Sequence, residues 1–297
     1  MAVERGQQQC ARLLVDALLA GGRAFLGASS GEYVGTMIMR KHLVLAAVGD
    51  ESVHSAWLMD GARSYDVALA YSGDQPGRFA DDADYYVERK GMKFSLLHDF
   101  TRNELARVAF DYDYIWMPDD DVKADSWQIE RLFALAAKHR LAICQPAIGS
   151  GEASFETLRA HPEYLLRFSQ FVEIMCPLFS RDAFVRVVPT FTQNVSAWGL
   201  DWLWASMFNA EQIAVIDAVA VDHTRPLKSG DVHQRLAELG VDPFEDHRQV
   251  MQLYHIENLR FHRATCRGTS RLKGIRLDGQ QVWTRSLLSA VFRRKAG

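Results

Sequence analysis

A short apolar strand that ends in a proline and three carboxylates constrains the fold of this chain more than any other feature. Residues Tyr114–Met117 have the length and aromatic content of a buried strand. Pro118 ends the strand because it has no N–H to donate to a neighbour. Asp119, Asp120 and Asp121 follow at the carboxyl end, where open α/β sheets bind their ligands. We therefore expect an α/β sheet with an acidic site at one edge.

The acidic triplet has two interpretations. Asp119 and Asp121 have the Asp-x-Asp spacing that can hold a hard divalent cation with a nucleotide diphosphate on its far side. Adjacent carboxylates repel one another unless a cation or hydrogen-bond donors compensate. Alternatively, the triplet is a solvated turn that caps a helix beginning near Ser126. An isolated short motif does not decide between them.

Two earlier apolar runs of strand length also end in polar residues. His42–Val48 precedes Asp50, and Asp66–Tyr71 precedes Ser72 and Gly73. The short helix expected between the two runs argues for a right-handed βαβ unit. The chain as a whole is thus predicted to be α/β, with a mixed, mainly parallel sheet flanked by helices.

The 297 residues suffice for one large α/β domain with appendages. We predict a helix and loop over residues 1–40, the α/β domain over 41–230 and a helical extension over 231–297. Residues 258–297 contain ten Lys and Arg against one acid. This tail has a net charge of +9. Since the whole chain has a net charge of −3, the rest of the chain has a net charge of −12. A basic tail on an acidic body suggests contact with an anionic partner.

The predicted terminal helix, 281–295, is basic and amphipathic, a pattern that can lie on an anionic membrane surface. The alternative is a terminal helix that packs on the protein's own core. The sequence has no apolar segment of membrane-spanning length, and its four cysteines are widely spaced without a CxxC pair. We expect a cytoplasmic protein with reduced thiols, or one peripheral to the inner membrane face.

Later polar residues can complete the acidic site. His223 follows a late strand, Ile213–Val221, and a neutral imidazole ligand suits Mn²⁺ better than Mg²⁺. Asp201 lies beside Gly199, where it can accept the proton of an attacking hydroxyl. A structural histidine and a helix-capping aspartate are the alternatives. Glu173 lies inside an apolar run, so its carboxylate must find a partner.

Four separated stretches carry a resemblance to known proteins: YIWMPDDDV, FVEIMCPLFSRDAF, SAWGLDWLW and VIDAVAVDHTRP. In this order they are similar to a plant and bacterial family of unknown function, DUF707, over about residues 40–230. Its plant members are labelled "lysine-ketoglutarate reductase trans-splicing related", but no GxGxxG follows the first strand to support a reductase. The architecture also resembles the GT-A fold of nucleotide-sugar-dependent glycosyltransferases, with Asp119, Asp120 and Asp121 standing where that fold carries its DxD motif.

The resemblance implies a glycosyltransferase that uses a nucleoside-diphosphate sugar, most simply a UDP-sugar, together with Mn²⁺ or Mg²⁺. It implies that Asp119, Asp121 and His223 hold the metal and that Asp201 is the base if the reaction inverts. The residues that we expect to contact the nucleotide are Asp50, Ser72, Gly73, Lys93 and Asp120. The expected acceptor is a glycan or a lipid-linked molecule, and no nucleic acid partner is expected.

Three other functions stay open at this point. Another metal-dependent enzyme, such as a nucleotidyltransferase or phosphohydrolase, would release pyrophosphate or phosphate instead of a nucleoside diphosphate. A non-catalytic protein with a degenerate site would bind a nucleotide sugar or glycan without turnover. A membrane-associated scaffold would act through its basic tail.

Overall fold

The computed structural model describes residues 40–58, 63–227, 231–256 and 273–283. The predicted N-terminal helix lies outside these residues. All of the described residues belong to one compact unit that begins at Arg40.

One half of the sheet is parallel. Its strands, in the order β3-β2-β1-β4, are β1 (His42–Val48), β2 (Tyr65–Tyr71), β3 (Tyr85–Glu88) and β4 (Tyr114–Trp116). Strand β1 pairs in parallel with both β2 and β4. Most side chains of β1, β2 and β4 are buried, as expected of parallel strands covered on both faces. Their carboxyl ends share one edge, so the polar residues that follow each strand gather there.

The other half of the sheet is mixed. Its strands are β5 (Val122–Lys123), β6 (Ile143–Ser150), β7 (Tyr164–Phe168), β8 (Leu178–Ser180), β9 (Ile213–His223), β10 (Lys273–Arg276) and β11 (Gln281–Trp283). From β4 outward they follow the order β8-β6-β9-β7-β10-β11, with β5 paired to β9. The antiparallel β5–β9 pairing places Val122 opposite His223. This pairing brings the acidic triplet to the end of the late strand.

Six α-helices are described: α1 (Lys93–Arg102), α2 (Ser126–Lys138), α3 (Arg181–Val187), α4 (Leu200–Met207), α5 (Asp231–Glu238) and α6 (Pro243–Leu253). Helix α1 is ten residues long. It ends because Asn103 leaves the helical region and bonds the carbonyl of Asp99 through both its backbone N–H and its side-chain amide. None of the described helices is long and apolar enough to cross a membrane.

The predicted C-terminal extension contains strands as well as helices. Residues 281–283, predicted as the start of a helix, form β11 instead. A hairpin joins β10 to β11, and Gly279 in its turn has a φ of 85°, which favours glycine. Since β10 also pairs with β7, these strands of the extension belong to the same sheet as the strands of the α/β domain. The rest of the predicted terminal helix lies outside the described residues.

Candidate active site

The acidic triplet forms a turn that is fixed by the backbone on both sides. Beyond β4, the N–H of Met117 donates to the carbonyl of Pro177 at 2.8 Å, and the N–H of Asp119 donates to the carbonyl of Met175 at 2.7 Å. The cap of α2 is Asp125, whose side chain accepts from the N–H of Gln128. The triplet therefore does not cap that helix, and its side chains are available for another role.

Asp121 and His223 face each other at the sheet edge. Asp121 Oδ2 lies 3.3 Å from His223 Nε2, and both side chains are largely buried. His223 Nδ1 lies 2.9 Å from the carbonyl oxygen of Glu152. A carbonyl only accepts, so Nδ1 carries a hydrogen and the neutral ring presents a bare Nε2 to the carboxylate.

Both His223 Nε2 and Asp121 Oδ2 are hydrogen-bond acceptors, so a positive charge must lie between these two atoms. In the absence of a cation that charge is a proton, and the hydrogen bond to Asp121 accordingly raises the pKa of His223. Burial acts to raise the pKa of Asp121, but the hydrogen bond and charge of His223 lower it overall. Asp121 Oδ1 is buried and, among the described residues, has no hydrogen-bond partner. These atoms fit a divalent cation, and the Glu152 carbonyl supplies the outer contact that fixes a ligating histidine.

Asp119 is engaged by Lys93 instead. The Lys93 ammonium donates to Asp119 Oδ1 at 2.6 Å and also faces the carbonyls of Met117, Ile174 and Met175 at 2.8–3.1 Å. Burial raises the pKa of Asp119 to about 6, although the charge of Lys93 opposes this. Within the described part of the chain, no three His, Cys, Asp or Glu side chains are grouped so that they could hold a metal ion. Asp121 and His223 are thus a two-ligand set that substrate phosphates and water can complete.

We expect Lys93→Met to destabilise the protein by about 2–4 kcal/mol, because it leaves a carboxylate and three inward-facing carbonyls without their donor. Urea denaturation of the purified variant measures this loss. The matched control is Lys90→Met, since Lys90 is half-exposed and pairs with the exposed Asp74. A Lys93→Met protein as stable as the control contradicts a structural role for this lysine.

Gly151 sets the position of His223. Its φ is +79°, and a Cβ built there would lie 1.9 Å from the backbone oxygen of His223. A side chain at this position cannot be accommodated unless the end of β9 moves.

If the Asp121–His223 pair holds Mn²⁺ together with UDP, Gly151→Ala should weaken Mn²⁺-dependent UDP binding at least tenfold by displacing His223, as measured by calorimetric titration. Gly77→Ala is the control, since Gly77 has a φ of +77° but an added Cβ would meet nothing within 4 Å. It carries the same conformational cost of about 1 kcal/mol without the clash. Equal UDP affinity in the two variants would contradict a role for His223 in metal binding.

The structure gathers the polar residues that follow β1 and β2. Asp50 Oδ1 accepts from the Tyr71 hydroxyl, and Oδ2 accepts from the N–H of Asp74 at 3.0 Å. The N–H of Ser72 donates to the carbonyl of Val48 at 2.8 Å. These bonds tie the two loops together.

Gly73 lies in the tightest part of these loops. A Cβ at Gly73 would lie 2.4 Å from the Tyr71 hydroxyl oxygen and 2.5 Å from Asp50 Oδ1. Lys90, three residues before the start of α1, donates to the carbonyls of Ser72 and Gly73. Glycine is therefore required for the close approach of the two loops.

Asp120 joins the β1 loop to the acidic turn. Its Oδ2 accepts from the N–H of Gly49 at 2.8 Å, and its Oδ1 accepts from Arg225 at 2.9 Å. Arg225 also donates to the carbonyl of Glu51 at 2.9 Å. The sequence did not single out Arg225, although it lies within the VIDAVAVDHTRP stretch. Its guanidinium places a positive charge beside the loops expected to hold the nucleotide.

Asp201 lies in the first turn of α4, one residue after Leu200 and two after Gly199, which has a φ of 94°. Its Oδ1 accepts from the N–H of Trp202 at 2.9 Å. Burial raises the pKa of Asp201 to about 8, and the charge of Glu173 contributes to the increase. Glu173, absent from the predicted site, thus belongs to the same cluster.

Comparisons with known proteins agree with this architecture. A family model described as "Protein of unknown function (DUF707)" matches residues 161–269, a range that includes Asp201 and His223 but not the acidic triplet. No curated protein sequence matches. The resemblance to this family that the sequence predicted is confirmed over the matched residues.

Two solved structures are similar to this chain to different extents. GalNAc-T7 with UDP, GalNAc and Mn²⁺ is 12% identical with a TM-score of 0.52, covering 76% of this chain and 50% of that chain. S. aureus TarS in complex with UDP-GlcNAc is 10% identical with a TM-score of 0.48, covering 73% and 66%. The chain therefore spans half the length of the GalNAc-T7 chain that it matches. At such identity the likeness to GalNAc-T7 shows the fold alone, and the predicted GT-A fold is confirmed.

Proposed function

We propose that this protein is a metal-dependent glycosyltransferase that moves a hexose-type sugar from a UDP-sugar to a hydroxyl of a glycan or lipid-linked acceptor. The observation that carries the proposal is the Asp121–His223 pair. It combines a bare imidazole nitrogen, a facing carboxylate oxygen at 3.3 Å and a second carboxylate oxygen that has no hydrogen-bond partner among the described residues, at the ligand-binding edge of a GT-A sheet.

The donor half of the site follows from this pair. Asp121 and His223 would hold Mn²⁺ or Mg²⁺, with the Glu152 carbonyl keeping the histidine in the ligating tautomer. When bound, the metal supplies positive charge that stabilises a diphosphate leaving group. The loops after β1 and β2 would bind the nucleoside, and Arg225 would add a second positive charge beside the diphosphate.

The acceptor half of the site is centred on Asp201. If the reaction inverts, Asp201 takes the proton of the attacking hydroxyl; if it retains, Asp201 orients the acceptor. Lys93 keeps Asp119 in place rather than contacting the nucleotide directly. UDP and Mn²⁺ in the similar GalNAc-T7 structure agree with the nucleotide and metal proposed here. Contact of the basic tail with an anionic membrane surface stays a prediction, since residues 284–297 lie outside the described ranges.

Calorimetric titration of the full chain with UDP and with GDP, each with and without Mn²⁺, tests the donor site. We expect UDP to bind only when Mn²⁺ is present. Binding of neither nucleotide to folded protein with Mn²⁺ would favour the phosphohydrolase and scaffold interpretations instead. Metal-dependent UDP binding without UDP release from any UDP-sugar would favour a non-catalytic binding protein.

A further inference from the structure

Glu173 has a backbone that is fixed beside the acidic turn. Its N–H donates to the side-chain oxygen of the fully buried Gln145 at 2.6 Å. The next two carbonyls, of Ile174 and Met175, accept from Lys93. The position of this glutamate is thus determined by the same contacts that hold the acidic turn.

The Glu173 side chain is buried, and only one of its two carboxylate oxygens has a hydrogen-bond donor among the described residues. The Ser154 hydroxyl donates to Oε1, whereas Oε2 is buried and has no hydrogen-bond partner among the described residues. Only 9% of this residue is exposed. A buried carboxylate oxygen without a donor is destabilising, so a purely structural glutamate would be expected to have both oxygens paired.

The groups that face Glu173 place it between the two halves of the site. They are Asp119, His223 and Lys93 on the donor side, Asp201 on the acceptor side, and the Cys176 thiol. Burial raises the pKa of Glu173 to about 7, and the charge of Asp119 adds to this. The charge of Glu173 in turn makes ionisation of the neighbouring Asp201 less favourable.

We propose that Glu173 is a second carboxyl group that binds the acceptor substrate. Its Oε2 accepts a hydrogen bond from that substrate, next to the hydroxyl that Asp201 contacts. This inference rests on the proposed function and specifies which class of acceptor substrate the glycosyltransferase would use. Glu173 interacts electrostatically with Asp119 and Asp201, and burial raises the pKa of all three carboxyl groups, so this part of the site disfavours negative charge. A further anion there would be repelled, so the reacting end of the acceptor is a neutral, hydroxyl-bearing sugar and not an acidic one.

The test compares Glu173→Gln with wild-type full-length protein in two measurements. The first is thermal unfolding at pH 8.5 without ligands. Glutamine keeps the shape but removes the unpartnered charge, so we expect the variant to melt about 2 °C higher or more. Ser154→Ala, which removes the existing donor to Glu173, should melt lower than wild type. Glu156→Gln, an exposed neighbour, is the matched control and should melt like wild type.

The second measurement is UDP release in the presence of Mn²⁺. The donors are UDP-glucose, UDP-galactose and their N-acetylated counterparts. The acceptor is water, methyl glucoside or methyl glucuronide. Wild-type protein should use the neutral glycoside at least tenfold better than the acidic one. Glu173→Gln should lower release to the neutral glycoside at least tenfold, with UDP affinity within twofold of wild type.

Each result decides the inference. A lower melting temperature, or unchanged release in Glu173→Gln, would show a structural residue and overturn it. Equal or better use of methyl glucuronide by wild type would overturn the neutral acceptor class. Wild-type protein that binds UDP with Mn²⁺ but releases none from any donor would overturn the proposed function, and this inference with it.

Discussion

Asp121→Ala is expected to lower sugar transfer by about a thousandfold or more, the loss typical when a group that stabilises transition-state charge is removed. The variant removes one of the two protein ligands proposed for the metal and leaves His223 Nε2 without its facing carboxylate. Its fold should persist, because the backbone bonds of the turn do not involve this side chain. Mn²⁺-dependent UDP binding should disappear with the activity. Initial rates of UDP release and calorimetric titration measure the two effects.

Asp113→Ala is the matched control for this variant. Asp113 immediately precedes β4, at the end of the strand away from the site, and forms a half-exposed ion pair with Arg181 at 2.8 Å. Such surface pairs contribute little to stability. Activity and UDP binding should therefore match wild type. An Asp121→Ala protein that keeps its activity with added Mn²⁺ would remove the metal from the proposed mechanism.

The sheet and the place of the site could be predicted from the sequence, because both depend on local patterns. The strands β1, β2 and β9 are continuous apolar runs that the structure reproduces within two residues. Polar residues after such strands must lie at a common edge when the strands are parallel. The candidate residues Asp50, Ser72 and Asp121 were found in this way, from their positions after strands.

The partners of the site residues could not be predicted, because they depend on side chains that meet only in the folded chain. Lys93 reaches Asp119 across 26 positions, and Arg225 reaches Asp120 across 105. A sequence pattern shows that three adjacent carboxylates need compensation, but it does not show which cations supply it. As a result, Asp119 and Asp121 were expected to hold the same metal ion, whereas Lys93 pairs with Asp119 and His223 faces Asp121.

The strands of the C-terminal extension were missed for a related reason. Lys273–Arg276 and Gln281–Trp283 are short and polar, so their period of two is hard to recognise among basic residues. Their Asp-Gly turn, residues 278 and 279, was the available signal. Strand β10 is defined by its pairing with β7, and β11 by its pairing with β10, and not by burial of their own.

Asp201→Asn is expected to lower sugar transfer about a hundredfold to ten-thousandfold, the range for loss of a positioned general base. The Asp201→Asn variant should also change how the stability of the protein depends on pH.

Burial raises the pKa of Asp201 to about 8, so the folded protein favours the neutral carboxyl. The favourable contribution of this neutral group is complete below about pH 4, and it is lost as the pH rises through about 8. Asparagine stays neutral throughout and should keep that contribution.

Urea denaturation at pH 5 and pH 9 measures this difference in the free energy of unfolding. The wild-type protein should lose stability between the two values, and Asp201→Asn should lose less. Some loss should remain in the variant, because burial also raises the pKa of Glu173, to about 7. Asp182→Asn, in the exposed first turn of α3, is the control and should follow wild type in both activity and stability. If Asp201→Asn retains full transfer and loses as much stability as wild type, Asp201 is neither the base nor a buried acid, and the acceptor half of the site must be placed elsewhere.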